Sequence, residues 1–265
     1  MIPLTDSELA GFSRLMFEAA GITLASSKQA LVEGRLSKRL HALGLTSFTA
    51  YLQHLRHDAA ERQQAIDLLT TNETYFFREP RHFAYLSETI APAAPAGRPL
   101  RVWSAACSSG EEPYSIALVL AERMAQRPWE ILASDISTRV LEQARRGIYP
   151  MARADNIPQP YLKAFCLKGT GAQAGHFTLQ PALRERVRFQ AINLNTTLPD
   201  IGLFDLVVLR NVMIYFDTDT KRAVCRRLLE VLRPGGHLFI GHSETLNGLD
   251  LPLQTIQPAI YRKPQ

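Results

Sequence analysis

From Leu100 onward, short apolar runs alternate with amphipathic stretches, and this rhythm constrains the fold more than any other feature of the chain. The runs LRVWSAA (100–106), WEILASD (129–135), VRFQAINL (187–194), FDLVVLRN (204–211), GHLFIGH (236–242) and AIYRK (259–263) read as strands. Between them EEPYSIALVLAERMAQ (111–126), STRVLEQARR (137–146) and residues 218–232 read as helices. Strands separated by helices imply a parallel sheet, because each crossover carries the chain back to begin the next strand in the same direction. The stretch 150–186 breaks the rhythm. It holds a Pro-rich piece and then LKGTGAQAGHFTLQ, whose glycines at 169, 171 and 175 allow tight turns, so a small antiparallel insertion is expected there.

Upstream the pattern is helical. Leu9, Phe12, Leu15, Met16 and Ala19 recur at helical spacing. A second helix is expected to start at Ser26, which has capping-box spacing to Gln29, and to end at Gly44. Two more cover about 47–56 and 59–71. PAAPAGRP (92–99) reads as a linker. The expected organisation is a helical unit over 1–90, a linker over 91–99 and an α/β unit over 100–265 that carries the insertion at 150–186. With 265 residues, 46% of them hydrophobic, the chain can bury roughly three quarters of the surface that it exposes unfolded, which excludes disorder. No apolar stretch approaches the ~20 residues of a membrane span, and no signal-type block opens the chain, so a soluble, cytoplasmic protein is expected. Three cysteines without a CxxC, and histidines without an HExxH, indicate neither a disulfide framework nor a metal; His54 and His57 lack an evident third ligand.

In an open α/β sheet the ligand lies beyond the carboxyl ends of the strands. The loop after the first strand reads Ser104-Ala105-Ala106-Cys107-Ser108-Ser109-Gly110-Glu111-Glu112. Its small residues let a ligand approach the backbone, yet GxGxxG is absent. Charge separates the ligand classes. A pyrophosphate would seek the positive end of the following helix, but two carboxylates occupy that end and would repel it. They suit a ligand with a cationic amino group, such as S-adenosylmethionine. Asp135, at the end of the second strand, can accept both ribose hydroxyls or can cap the next helix.

The segments TTNETYFFRE (70–79), RVWSAACSSGEEPYSIA (101–117), ASDIS (133–137), INL (192–194), LRNVMIYFD (209–217) and PGGHLFIGHSE (234–244) resemble those of the chemotaxis receptor methyltransferases, the CheR family of protein-glutamate O-methyltransferases. The resemblance implies a Rossmann-like class I methyltransferase domain, joined to an all-helical N-terminal domain and carrying a small antiparallel β insertion. It implies methyl transfer from S-adenosylmethionine to receptor glutamates, giving glutamate methyl esters and S-adenosylhomocysteine without a metal, by an enzyme expected to be a monomer. Carried over by motif, Asn72, Thr74, Arg78, Glu112, Asp135, Asn193, Leu194, Arg210 and Asn211 would contact the cofactor, with Glu111 a competitor for the role of Glu112. Arg78 and Tyr215 would face the reacting centre.

Lys28, Arg35 and Arg39 fall within a stripe ~40° wide on the second helix, which Val32 shares, while Leu36, Leu40 and Leu43 are expected to face inward. In the family this helix is implicated in recognising the receptor, so the stripe is expected to bind substrate. The insertion of some members holds a receptor C-terminal pentapeptide as an added strand, and Gly169, Gly171 and Gly175 resemble the pattern of those members. Two rival readings stay open. Residues 98–265 carry 21 basic and 15 acidic side chains, which suits a nucleic-acid methyltransferase, although the Asn/Asp-Pro-Pro-Tyr run of base methylation is missing. A non-catalytic adenosyl sensor would show the same binding residues.

Overall fold

A computed structural model describes residues 2–125 and 127–265. The N-terminal helices are α1 (Asp6–Ala20), α2 (Gln29–Ala42), α3 (Phe48–His54) and α4 (Ala59–Leu69). Their starts are set by short polar side chains. Thr5 and Glu8 form a reciprocal capping box on α1, and Ser47 and Asp58 cap α3 and α4. The capping box expected at Ser26 does not form. Ser26–Lys28 is a 3-10 turn, and the Gln29 amide reaches instead to the Leu4 carbonyl. A fifth helix, α5 (Pro80–Tyr85), runs into a single π turn (Leu86–Ile90) that the sequence pattern did not reveal.

The rest alternates as β1 (Leu100–Ser104), α6 (Glu111–Met124), β2 (Trp129–Asp135), α7 (Thr138–Arg146), β3 (Ile148–Pro150), α8 (Gln159–Phe165), β4 (Cys166–Lys168), β5 (His176–Leu179), α9 (Pro181–Arg184), β6 (Val187–Ala191), β7 (Phe204–Leu209), α10 (Thr218–Val231), β8 (Leu232–Ile240), β9 (Gln254–Gln257) and β10 (Ile260–Arg262). Seven strands form one sheet in the order β6-β2-β1-β7-β8-β10-β9, and β10 runs antiparallel to both its neighbours. The strand order reverses between β1 and β7, which puts the crevice for a ligand at the ends of those two strands. The insertion is antiparallel as expected, in the order β3-β5-β4, although it begins at Ile148 and contains a helix, α8, that its composition did not announce.

Period-2 alternation sorts the sheet residues onto two cores. Trp103, Leu132, Val207, Leu209, Leu238 and Ile240 face one core, with α10 and the N-terminal helices through Leu69. Val102, Ile131, Ala133, Leu206, Val208 and Phe239 face the other, with α6. Phe76, Phe77, Phe83, Leu86 and Ile90 belong to this second core. The packing therefore changes hands near residue 70, ahead of the Pro-rich stretch at 92–99.

Candidate active site

A cavity opens at the strand ends where the order reverses. Its floor is the β1 loop (Ala105, Ala106, Ser108), the end of β2 (Asp135, Ile136), the residues after β6 (Ile192, Asn193, Leu194) and those after β7 (Arg210, Asn211, Val212, Tyr215). Its roof comes from the N-terminal region, with Ile22 to Leu24, Lys28 and Leu31 on one side and Leu69 to Glu73 on the other. Roof and floor are tied by two hydrogen bonds: Thr23 N–H donates to the Tyr215 carbonyl at 2.9 Å, and the Asn193 side-chain amide donates to the Ala19 carbonyl at 2.6 Å. The turn into α6 depends on Gly110 at φ 96, where a Cβ would lie 2.9 Å from both Ala144 Cβ and the Tyr149 hydroxyl.

Asp135 is buried, and its two oxygens accept the Ser108 and Ser137 backbone N–H groups at 2.8 and 3.0 Å. Burial raises its carboxyl above the usual range, and those amides only partly offset the rise. Each oxygen keeps a lone pair, so the group suits a diol on the cavity side. Glu112 is 11% exposed, accepts from Ser104 Oγ at 2.6 Å and pairs with Arg210 Nη1 at 3.0 Å. Its carboxyl too is raised, by burial, against the pull of Arg210 and Ser104. Glu111 points elsewhere, to Ser109 Oγ at 2.7 Å and Arg153 at 3.4 Å. Of the two adjacent acids, Glu112 is therefore the one joined to a cavity residue.

Arg210 is held by Glu112, by Glu79 Oε2 at 3.2 Å and by the Arg78 carbonyl. Asn211 adopts φ 58, and its N–H donates to Glu244 at 2.9 Å. Asn72 lines the roof, and its carbonyl accepts from Ser108 Oγ at 2.8 Å. Eight sequence-predicted residues thus meet around one cavity: Asn72, Asp135, Asn193, Leu194, Arg210, Asn211 and Tyr215, with Lys28 of the α2 stripe. Thr74 and Arg78 stand off its lining. The Thr74 carbonyl accepts from Arg153, while the Arg78 guanidinium lies 5.6 Å from the Tyr75 ring centroid and donates to the Glu73 carbonyl.

The α2 stripe differs from expectation. Val32 is fully buried, so the stripe turns toward the bundle, and its arginines are engaged there. Arg35 donates to the Leu68, Leu69 and Thr70 carbonyls at the end of α4, and Arg39 pairs with buried Glu61. Leu43 is 37% exposed rather than inward, because α2 has already ended at Ala42. Only Lys28 of the three cations is exposed, and it borders the cavity.

Two family models match the chain, one described as the CheR methyltransferase all-alpha domain over residues 7–70 and one as the CheR methyltransferase SAM binding domain over residues 72–261. The chain belongs to the CheR methyltransferase family. It is 43% identical over 249 residues to chemotaxis protein methyltransferase 2 of Pseudomonas aeruginosa, covering 93% of this chain and 89% of that protein. It is 42% identical over 256 residues to the chemotaxis protein methyltransferase of Escherichia coli, covering 94% and 88%. Membership in the CheR family makes the fold a helical domain followed by an S-adenosylmethionine-dependent methyltransferase domain, and the junction between the two family models coincides with the change of core near residue 70. Among the described residues, no helix is long and apolar enough to cross a membrane.

Two residues of the site escaped sequence reasoning. Glu79, at φ 59, collects Arg210 Nε, the His242 N–H at 3.1 Å and the Asn211 amide at 3.4 Å. Burial lifts its carboxyl, but Arg210 and the other donors outweigh that and hold it low. Glu244 accepts the Asn211 and Gly241 N–H groups at 2.9 and 2.7 Å. Both stand inside the segments that carried the family resemblance, but the partners that tie them to the site, Arg210 for Glu79 and Asn211 for Glu244, lie far along the chain.

Proposed function

We propose that the protein methylates the γ-carboxylates of glutamates on the helical cytoplasmic domain of chemotaxis receptors, yielding glutamate methyl esters and S-adenosylhomocysteine. The observation that carries this reading is the cavity itself, with Asp135 beside small β1-loop residues on one wall and Arg210, Asn211 and Tyr215 on another. These residues fit S-adenosylmethionine, which when bound supplies a methyl group made electrophilic by its sulfonium. Asp135 takes the ribose, and Asn193 and Leu194 flank the adenine. Glu112, Arg210 and Asn211 hold the methionine end, and Asn72, Thr74 and Arg78 close over it.

A glutamate side chain, with a pKa near ~4.3, is already anionic at neutral pH, so no general base is required. What remains is to strip water from a carboxylate and aim one oxygen, which is an orientation task. Arg78 is suited to it, because a guanidinium grips a carboxylate as a fork and its long side chain can leave Tyr75 for the substrate. The Tyr215 hydroxyl donates to the same carboxylate. The helical region (1–90) recognises the receptor, with Lys28 presenting its charge beside the cavity and Arg35 and Arg39 supporting the surface from within. The insertion acts as a tether. β4 is an edge strand with Leu167 46% exposed, open to a receptor pentapeptide as an added strand, and Gly169, Gly171 and Gly175 shape the adjoining turn. The enzyme works as a cytoplasmic monomer and needs no metal for methyl transfer.

Methyl-labelled donor incubated with receptor-containing membranes tests the reading. Base-labile label on receptor glutamates is the expected result. Donor binding with no label on any receptor would instead favour the sensor, and label on nucleic acid the other rival.

A further inference from the structure

Glu79, His82 and His242 form a cluster in which both imidazoles stand outside the methyl-transfer reading. Glu79 and His82 are three residues apart at the start of α5, and His242 follows β8. Glu79 Oε2 lies 3.4 Å from His82 Nδ1 and 3.9 Å from His242 Nε2, and the three donor atoms fall within 4.8 Å of one another. Donors of a tetrahedral site with bonds of about 2.0–2.2 Å are spaced ~3.4 Å apart. The carboxylate–imidazole spacings are thus already close to those of a zinc site.

His82 supplies an independent observation. It is 2% exposed, and neither ring nitrogen has a hydrogen-bond partner of normal geometry. Idle buried polar atoms are uncommon because nothing repays their desolvation. The ring lies flat on Phe239, with centroids 4.9 Å apart and planes at 16°, which fixes its direction. His242 is 41% exposed and gives the cluster a side open to solvent.

We propose that Glu79, His82 and His242 bind a divalent transition cation of the zinc type, and that loading this site weakens donor binding through Arg210. Arg210 Nε sits 3.2 Å from the same Glu79 oxygen, so the cation competes for it. Arg210 then leans on Glu112 and the Arg78 carbonyl alone, and Arg210 lines the donor cavity. The coupling rests on the reading of that cavity as the donor site, whereas the metal site does not.

Zinc titrated calorimetrically into the full chain should show one site per chain, and cobalt in its place should give the visible absorption of tetrahedral nitrogen–oxygen coordination. His242→Ala should weaken zinc binding at least ~10-fold, and His82→Gln should do the same. His242→Ala should bind S-adenosylmethionine like the wild type in metal-free buffer. Saturating zinc should lower donor affinity ~3–10-fold in the wild type and leave His242→Ala unaffected. Equal zinc affinity in wild type and both variants would overturn the site, and would point to surface groups such as His54 and Asp58, 3.5 Å apart. Zinc uptake lost in the variants, with wild-type donor affinity unmoved, would overturn the coupling. Failure of the metal-free protein to bind donor would count against the cavity reading instead.

Discussion

Two arginine–carboxylate clusters, one in the helical bundle and one beside the cavity, are built from the same parts and do different work. In the bundle, Arg39 pairs with buried Glu61, which also accepts from the Tyr51 hydroxyl at 2.7 Å. One cation meets one anion, with a phenol completing the shell. Burial pulls the Glu61 carboxyl up, but Arg39 and Tyr51 outweigh it and hold it below its ordinary value. Beside the cavity, one arginine, Arg210, serves two carboxylates, Glu79 and Glu112, and Asp135 lines another wall of the same cavity. Carboxylates outnumber the arginine there; burial pushes Glu112 and Asp135 up, while Arg210 and its other donors hold Glu79 low. The balanced cluster fastens helices. The unbalanced one holds charge that a cationic ligand can complete, which is the arrangement expected of a binding site.

The largest expected effect removes part of that excess. Asp135→Ala should weaken S-adenosylmethionine binding about 100-fold, near 2.7 kcal/mol, since the proposed binding mode loses a charged acceptor to two hydroxyls. Calorimetric affinity within twofold of wild type would take Asp135 out of the site. Arg39→Met should do the opposite kind of damage. Stripping Glu61 of its partner costs about 2 kcal/mol of stability, less than for a fully buried pair because Arg39 is 30% exposed. Denaturant melts should register that loss while donor affinity holds. Glu112→Gln should separate the clusters further. It should weaken the donor about 10-fold, near 1.4 kcal/mol, yet leave the fold as stable or more so, because an anion raised by burial is relieved when neutralised. A loss of stability as large as that of Arg39→Met would erase the distinction.

The balanced and unbalanced clusters were not equally legible in the sequence. The WEILASD strand ended at Asp135 as read, because a buried parallel strand is a continuous apolar run and its last polar residue marks the ligand side. β9 was missed since Gln254–Gln257 is an exposed edge with no apolar face to announce it. The spacing of the α2 cations predicts a substrate-binding stripe, because angular spacing fixes a face but not a long side chain's partner. Glu61, 22 residues on, turned Arg39 inward, and carbonyls more than 30 residues on did the same for Arg35. Glu79 went unread for the same reason, with Arg210 131 residues away. Periodicity reports burial; pairing across the fold has no local signal.

The smallest effect is a difference in pH response, and it follows from the opposite directions of the shifts. Glu61 is held below its unfolded value, so its contribution to stability is fully present above the ordinary carboxylate range and is lost only as pH falls through its lowered folded value. In the wild type Glu61 should therefore cost no stability until pH falls below the ordinary carboxylate range, whereas in Arg39→Met burial loses its main opponent and the gap between the two should begin to narrow at a higher pH. Burial raises Asp135 and Glu112, so each takes up its proton at a higher pH than a free carboxyl, and in the proposed binding mode it then no longer attracts the donor's cationic groups or accepts from its ribose as an anion. Donor affinity should accordingly begin to fall while the Glu61 contribution to wild-type stability is still intact, at no more than about 1.4 kcal/mol per pH unit for each proton. Calorimetry of the donor across this range, with Glu112→Gln showing a shallower slope than wild type, would locate the excess charge at the cavity. A wild-type affinity that stays level down to the ordinary carboxylate range would show that the two clusters titrate alike, and the contrast between them would then be one of position alone.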